Sequence, residues 1–200
     1  EEEATEDISK MAAITPSDRP YLKTSVWTLW KSRIPWLLLL MLSATFTGMI
    51  ITHFEGVLSF SIALTAAIPI LMDTGGNCGS QSSVTVIRSL SLGELHFKDL
   101  FKVWWKEARV AVMCGVTLAA ANFVKLLLIE RVGVPIALTI CLTLCVTVFI
   151  AKMVGCTLPI LADKLGFDPA VMASPFITTI VDALALLIYC GFAGMILGLA

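Results

Sequence analysis

The stretch Ile34–Phe54 reads IPWLLLLMLSATFTGMIITHF and contains no aspartate, glutamate, lysine or arginine. Arg33 and Glu55 flank it on its two sides. A helix needs about 20 mainly apolar residues to cross the hydrocarbon core of a lipid bilayer, and this stretch has that length. It therefore predicts a transmembrane helix.

The composition of the whole chain indicates the same class of protein. Of its 200 residues, 58% are hydrophobic and 14% are charged, against roughly 25% charged residues in soluble domains. The mean hydropathy is +0.90. The formal net charge is -1 and no basic stripe with interleaved aromatic residues occurs, which excludes a strongly basic nucleic-acid-binding protein. The chain is predicted to be an all-α integral membrane protein that lies in a lipid bilayer.

Four further segments are long and apolar enough to span a bilayer, so the sequence predicts five spans. Their approximate ranges are 34–54, 56–88, 110–129, 132–158 and 170–198. Residues 34–200 are thus predicted to form one five-helix transmembrane domain. Residues 1–33 differ in kind, because acidic residues are concentrated near their start. They are predicted to form a cytoplasmic connecting helix and a linker.

Lysine and arginine residues are distributed unevenly among the predicted loops. Three of them precede the first span: Lys23, Lys31 and Arg33. The loop between the second and third spans holds Arg88, Lys98, Lys102, Lys106 and Arg109. The connection between the fourth and fifth spans is flanked by Lys152 and Lys164. Cytoplasmic loops of membrane proteins carry an excess of these residues. The N-terminus is therefore predicted to be cytoplasmic and the C-terminus to lie outside, in a multi-pass protein of the plasma membrane.

Asp182 is an isolated charge in the fifth predicted span. A charged side chain inside a span costs roughly 2.5–3.5 kcal/mol on insertion scales, and it is tolerated when it faces protein or a water-filled cavity. On a helix, Ser174, Thr178, Asp182 and Tyr189 fall within an arc of about 80°. This face predicts an ion path. The alternative is a hydrogen-bonded packing face with a protonated Asp182.

The second predicted span contains a polar segment, Pro69–Gln81, which reads PILMDTGGNCGSQ. On a helix, Asp73, Asn77 and Gln81 share an arc of about 80°, with Ser80 beside them. If the helix instead unwinds at its glycines, it offers main-chain carbonyls to a cation. Both arrangements supply the oxygen ligands that Mg²⁺ and Ca²⁺ prefer, whereas the alternative is a kinked helix packed through small residues. The glycines concerned are Gly75, Gly76 and Gly79.

Two other patterns in the sequence bear on its function. Asp73-Thr74-Gly75 spells the aspartic-protease triplet, but that triplet belongs to a β-rich fold, so no enzymatic function is predicted. Thr139, Thr143 and Thr147 form a stripe on the fourth span. These hydroxyls face a pore or form hydrogen bonds to carbonyls of their own helix, and the sequence leaves both possibilities open.

The segment Pro69–Gln81 strongly resembles the second-helix motif of MgtE-type magnesium channels and transporters. Residues 174–182, which read SPFITTIVD, resemble the fifth-helix motif of that family. The segment Tyr21–Trp36, which leads into the first span, also looks like that family. The resemblance covers nearly the whole chain, and it includes two long motifs in the right order.

The resemblance implies a homodimer of five-helix subunits with an ion path on the two-fold axis. In that family the fifth-helix aspartate holds Mg²⁺ at the centre of the pore, and Asp182 matches it. The family also uses the main chain one turn before the aspartate, and Thr178 stands at that position. Some members use an asparagine eight residues before the aspartate, and this sequence has Ser174 there. Family members also carry an N-terminal helical domain and paired CBS domains that sense cytosolic Mg²⁺. Both are absent from this sequence, whose start resembles the connecting plug helix.

The leading functional hypothesis is a channel-like path for hydrated Mg²⁺, the ion predicted to be both bound and transported, and for other divalent cations. One alternative is a carrier that exchanges the divalent cation for Na⁺ or H⁺, with Asp73 or Asp182 as the proton site. The other is a non-conducting membrane anchor. The candidate metal ligands are Asp182, Thr178, Ser174, Asp73 and Asn77. The candidate pore-lining or motif residues are Gly75, Gly76, Gly79, Ser80, Gln81 and Tyr189.

Overall fold

The computed structural model describes residues 8–12, 14–15, 20–172 and 174–198. Within these ranges the chain is helical and contains no strand. The five long helices are α1 (Val26–His53), α2 (Ile62–Ser91), α3 (Leu100–Leu128), α4 (Val134–Lys164) and α5 (Ser174–Leu197). The short elements are an α-helical turn at Glu55–Leu58 and 3₁₀ turns at Tyr21–Lys23, Phe97–Asp99 and Pro169–Met172.

Four stretches of the described chain are long and apolar enough to cross a membrane: Val26–His53, Phe97–Leu128, Val134–Lys164 and Pro175–Leu197. The chain is therefore an all-α, multi-pass membrane protein. Helix α2 is as long as the others, with 30 residues, but its polar segment lowers its hydropathy. The count of five spans and the direction in which the chain crosses the bilayer stay predictions.

The first long helix begins earlier than the apolar run in the sequence. Ser25 caps it, because its side-chain oxygen accepts a hydrogen bond from the Thr28 N–H at 3.2 Å. Lys31 and Arg33 therefore lie inside α1 instead of in a preceding linker. The acidic residues Glu1, Glu2, Glu3, Glu6 and Asp7 of the predicted connecting helix lie outside the described residues; residues 8–11 form a short helical segment.

Helix α4 lies at the centre of the bundle and packs against α2, α3 and α5. Helix α2 also packs against α5. The main core contains large side chains from the three central helices, such as Leu71, Leu144 and Ile177, each nearly fully buried. Helix α1 packs mainly against α5, and Thr47 is its single buried residue among those described. Most of the surface of α1 is therefore open to lipid or to another protein chain.

Small residues bring α2 and α4 into backbone contact. Helix α2 runs unbroken through Gly75, Gly76 and Gly79, so the alternative of an unwound segment is not what the structure contains. A Cβ atom placed on Gly155 of α4 would meet the carbonyl oxygen of Gly79 and lie 2.9 Å from its carbonyl carbon. Helices in a bilayer associate through such close packing, since lipid tails are as apolar as leucine and burial alone gives no driving force.

We expect Gly155→Ala to destabilise the bundle, because the new methyl group would push α2 and α4 apart. Overpacking of this kind costs about 1–3 kcal/mol. The matched control is Gly48→Ala on α1, where an added Cβ has no neighbour within 4 Å. Thermal unfolding of the purified protein in detergent measures both. A midpoint for Gly155→Ala equal to that of Gly48→Ala would contradict the close contact.

Candidate functional site

Helix α2 has two unlike faces. Gly75, Gly79 and the residues in line with them are buried against α4 and α5. Asp73, Asn77 and Gln81 occupy the other face and are exposed on the surface of the single chain. The helical repeat of 3.6 residues explains this division, because residues four apart lie on the same side of a helix. The structure therefore confirms that these three side chains share one face.

Helix α5 brings a second set of oxygen groups to α2. A Cβ atom on Gly76 would lie 2.8 Å from Cγ2 of Thr178, so the missing side chain of this glycine lets the two helices meet there. The Thr178 hydroxyl donates a hydrogen bond to the carbonyl oxygen of Pro175 at 2.9 Å. Asp182 lies one turn after Thr178, is partly buried and interacts electrostatically with Asp73. The contact at Gly76 thus places carboxylates from two helices near each other.

The two carboxylates have no basic partner in the part of the chain that the structure describes. Among the residues that the structure describes, neither Asp73 nor Asp182 forms an ion pair with lysine or arginine. Within the same residues, no group of three or more histidine, cysteine, aspartate or glutamate side chains could enclose a metal ion. One chain therefore offers a pair of uncompensated carboxylates, with hydroxyl and amide oxygens nearby.

A cavity of about 600 Å³ lies beside the exposed face of α2. Helix α2 contributes most of the polar side chains of its wall: Asp73, Thr74, Asn77 and Gln81, together with Cys78. Helix α3 contributes Met113, Cys114, Leu118 and one hydroxyl residue, Thr117. Asp182 is not part of this wall. Asp73 thus lines the cavity and also interacts electrostatically with Asp182 of α5.

The structure shows where three further predicted site residues lie, and one of them, Tyr189, is not on an open face. Tyr189 is fully buried, and its hydroxyl donates a hydrogen bond to the carbonyl oxygen of Leu64 at 2.8 Å. It fixes the start of α2 against α5 and does not share an open face with Asp182. Ser80 is partly buried on α2. Ser174 is the first residue of α5, so its place in the chain is one helical turn before Thr178.

The threonine stripe of α4 faces its own helix and the core. The hydroxyls of Thr139 and Thr143 donate hydrogen bonds to the carbonyl oxygens four residues earlier, at 2.9 Å and 2.8 Å. Thr147 is buried, its hydroxyl has no hydrogen-bond partner, and its methyl group lies against Gly75. The stripe is therefore part of the packing between α4 and α2 and not part of an open path.

The structure shows that Lys152 is buried among other helices. The sequence placed it near the end of the fourth predicted span, as a flank of the connection to the fifth span, and it lies within α4 with 4% of its surface exposed. Its ammonium group contacts Ser82 of α2 and Glu107 of α3. Sequence reasoning missed this cluster, although the rule that identified Asp182 applies equally to a lysine within an apolar span.

A short N-terminal segment is attached at the start of α5. The Lys10 ammonium group contacts the Asp168 carboxylate at 2.6 Å, and Met11 packs near Ile87 and Ala170. Burial by itself raises the pKa of Asp168, but the hydrogen bonds that the carboxylate accepts from Lys10 and from the Ala170 N–H lower it further than burial raises it. The carboxylate is therefore held in its charged form.

Comparison with known proteins identifies relatives of the chain. A family profile, MgtE, described as a divalent cation transporter, matches residues 68–192. The chain is 38% identical to the magnesium transporter MgtE of Thermus thermophilus, over 98% of its own length and 43% of that protein. It is 34% identical to the magnesium transporter MgtE of Bacillus subtilis, over 96% of its own length and 42% of that protein. The chain thus spans about two fifths of the length of these relatives.

We expect Asp168→Asn to loosen residues 8–12, because the amide cannot hold the Lys10 ammonium group as the carboxylate does. The depressed pKa of Asp168 adds a pH dependence. Its stabilising contribution is complete above the pKa of the unfolded carboxyl and is lost as the pH falls through the lower, folded value.

Hydrogen exchange of the peptide that contains residues 8–12 measures this effect. Near neutral pH it should be several-fold faster in Asp168→Asn than in the unsubstituted chain. The matched control is Asp163→Asn, at an exposed position near the end of α4. Exchange that is equally slow in both variants would contradict a stabilising role of the contact.

Proposed function

Since the chain belongs to the MgtE family of divalent cation transporters, we propose that it moves Mg²⁺ across the membrane. The family consists of transporters, so the chain is not an enzyme. In this proposal the ion passes along the exposed face of α2 and the side of α5 that carries Asp182. The observation that carries the proposal is that Asp73 and Asp182 interact electrostatically and have no lysine or arginine partner among the described residues. They belong to the two helices that meet where Gly76 contacts Thr178.

The chemistry of Mg²⁺ fits such a path. The ion prefers octahedral oxygen ligands, gives up its water reluctantly and is usually bound through a few carboxylates with several waters retained. A path with spaced carboxylates and neutral oxygens binds the hydrated ion through its water shell. Charge and spacing then matter more than a close fit to the bare ion. Asp182 is the central site in this proposal, and Thr178, Ser174, Asp73 and Asn77 are the other candidate ligands.

A second copy of the chain completes the path in this proposal. The side chains of Asp73, Asn77 and Gln81 are exposed on the single chain. A charged group facing lipid at the centre of a bilayer costs roughly 2.5–3.5 kcal/mol or more, so this face needs a covering of protein or water. A homodimer with α2 and α5 at its two-fold axis covers the face and doubles the number of carboxylates along the path.

Flux into liposomes separates the mechanisms that this geometry allows. A channel carries Mg²⁺ down the membrane potential without a coupling gradient. A carrier in which Asp73 or Asp182 exchanges a proton, or which exchanges Na⁺, requires that gradient. A non-conducting anchor gives no flux. We expect Mg²⁺ influx driven by voltage alone, and a strict dependence on a Na⁺ or H⁺ gradient would favour the carrier.

Replacement of Asp182 tests the central site. Asp182→Asn keeps the shape of the side chain and removes its charge, so Mg²⁺ flux should fall at least about tenfold, which corresponds to about 1.4 kcal/mol of lost stabilisation of the cation. Asp163→Asn, at an exposed position near the end of α4, is the matched control and should transport normally. Size-exclusion chromatography checks that both variants keep the same oligomeric state. Undiminished flux from Asp182→Asn would refute the assignment.

A further inference from the structure

A buried polar triad joins three helices on the packed side of α2. The Ser82 hydroxyl of α2 donates a hydrogen bond to Oε2 of Glu107 of α3 at 2.7 Å. The ammonium group of Lys152 of α4 lies 3.2 Å from the Ser82 oxygen and 3.6 Å from Oε2 of Glu107. Lys152 and Glu107 side chains are 5% and 15% exposed. The function proposed above uses none of these three residues.

The triad lies next to the backbone contact between α2 and α4. Ser82 follows Gly79 by three residues, and Lys152 precedes Gly155 by three residues, so the triad and the glycine contact are about one helical turn apart. A hydrogen-bonded charge network fixes direction as well as distance, whereas the contact between small residues allows one helix to turn against the other. The triad therefore restricts rotation of α2 about its own axis.

Rotation of α2 matters because its other face carries the polar groups of the path. Asp73, Asn77 and Gln81 lie on the side of the helix away from Ser82. A turn of α2 by one residue position, about 100°, would carry these side chains out of the path. We propose that Ser82, Glu107 and Lys152 are positioning residues that hold α2 with its polar face toward the cation. This inference rests on the function proposed above.

The two charges of the triad are not equally enclosed. Glu107 lines a cavity of about 290 Å³ together with Lys106, Glu94 and other residues at the ends of α2 and α3. Lys152 does not reach that cavity. Loss of Lys152 therefore leaves a carboxylate that water can reach, and loss of Glu107 leaves an enclosed ammonium group. Glu107→Gln should consequently unfold at a lower temperature than Lys152→Met.

The main experiment removes both charges together. Lys152→Met combined with Glu107→Gln removes both charges of the triad, so neither is left without its partner, and such paired replacements are often tolerated. The matched control is Lys125→Met with Glu130→Gln, which removes the ion pair between those two residues at the far end of α3. Ser82→Ala, which removes the link to α2 and keeps the ion pair, is the second test variant in case the double variant does not fold.

Two measurements report on the triad. The first is the rate at which a water-soluble maleimide labels Cys78, which is 7% exposed on α2, with the labelled peptide identified by mass spectrometry. The second is Mg²⁺ flux into liposomes, resolved into its maximum and its half-saturating concentration. We expect faster labelling of Cys78 and a half-saturating concentration raised roughly two- to thirtyfold, the range in which remote residues alter coupling. The control pair should change neither quantity.

The outcomes separate this inference from the proposed function. Unchanged labelling of Cys78 in both test variants would overturn the positioning role, and so would faster labelling with unchanged flux parameters. If the unsubstituted chain moves no Mg²⁺, the proposed function fails. The labelling rates would then still show whether the triad holds α2 in place.

Discussion

The approach of α2 to α4 and α5 at glycine is the contact on which the rest of the structure depends. In a bilayer, apolar side chains gain little by leaving lipid for protein, so helices are held by close packing and by polar links between them. Gly79 and Gly155 let α2 and α4 meet backbone to backbone, and Gly76 admits Thr178 of α5. A larger residue at Gly76 or Gly79 would separate α2 from α5, the helices that carry Asp73 and Asp182, and one at Gly155 would separate α2 from α4.

The same contact explains why the least apolar long helix packs one of its sides against both α4 and α5. Helix α2 cannot present its polar segment to lipid at low cost, and its small residues make it the best partner for other helices on one side. Its packed side carries glycines and the Ser82 hydroxyl, whereas its open side carries carboxylate and amide groups. Packing and function thus use opposite faces of one helix, and the helical repeat keeps them apart.

Sequence reasoning predicted the fold class well, because long apolar runs and the few charges inside them are local features that need no knowledge of neighbours. It also placed Asp73, Asn77 and Gln81 on one face for the same reason. It failed where a residue's environment depends on a distant helix. The angular position of Tyr189 matches that of Asp182 on a helical wheel, but the crossing of α2 at Leu64 buries it. Lys152 was placed within the fourth predicted span, but its partner Glu107 lies on another helix, and no local pattern shows that contact.

The charges within the bundle form two groups: one has an opposite charge beside it, and the other has none among the described residues. Lys152 and Glu107 neutralise each other on the packed side of α2, so they contribute little net field at a distance. Asp73 and Asp182 lie near each other without a basic partner among the described residues, and in the proposed path a cation between or beside them would relieve their repulsion. A divalent ion relieves it more effectively than a monovalent one, because its attraction to each carboxylate is twice as large at the same distance. Among the described residues, the charges on the packed side of α2 are paired with each other, whereas the carboxylates beside its open side are not, so the proposed cation path lies on the side where the negative charge is unpaired.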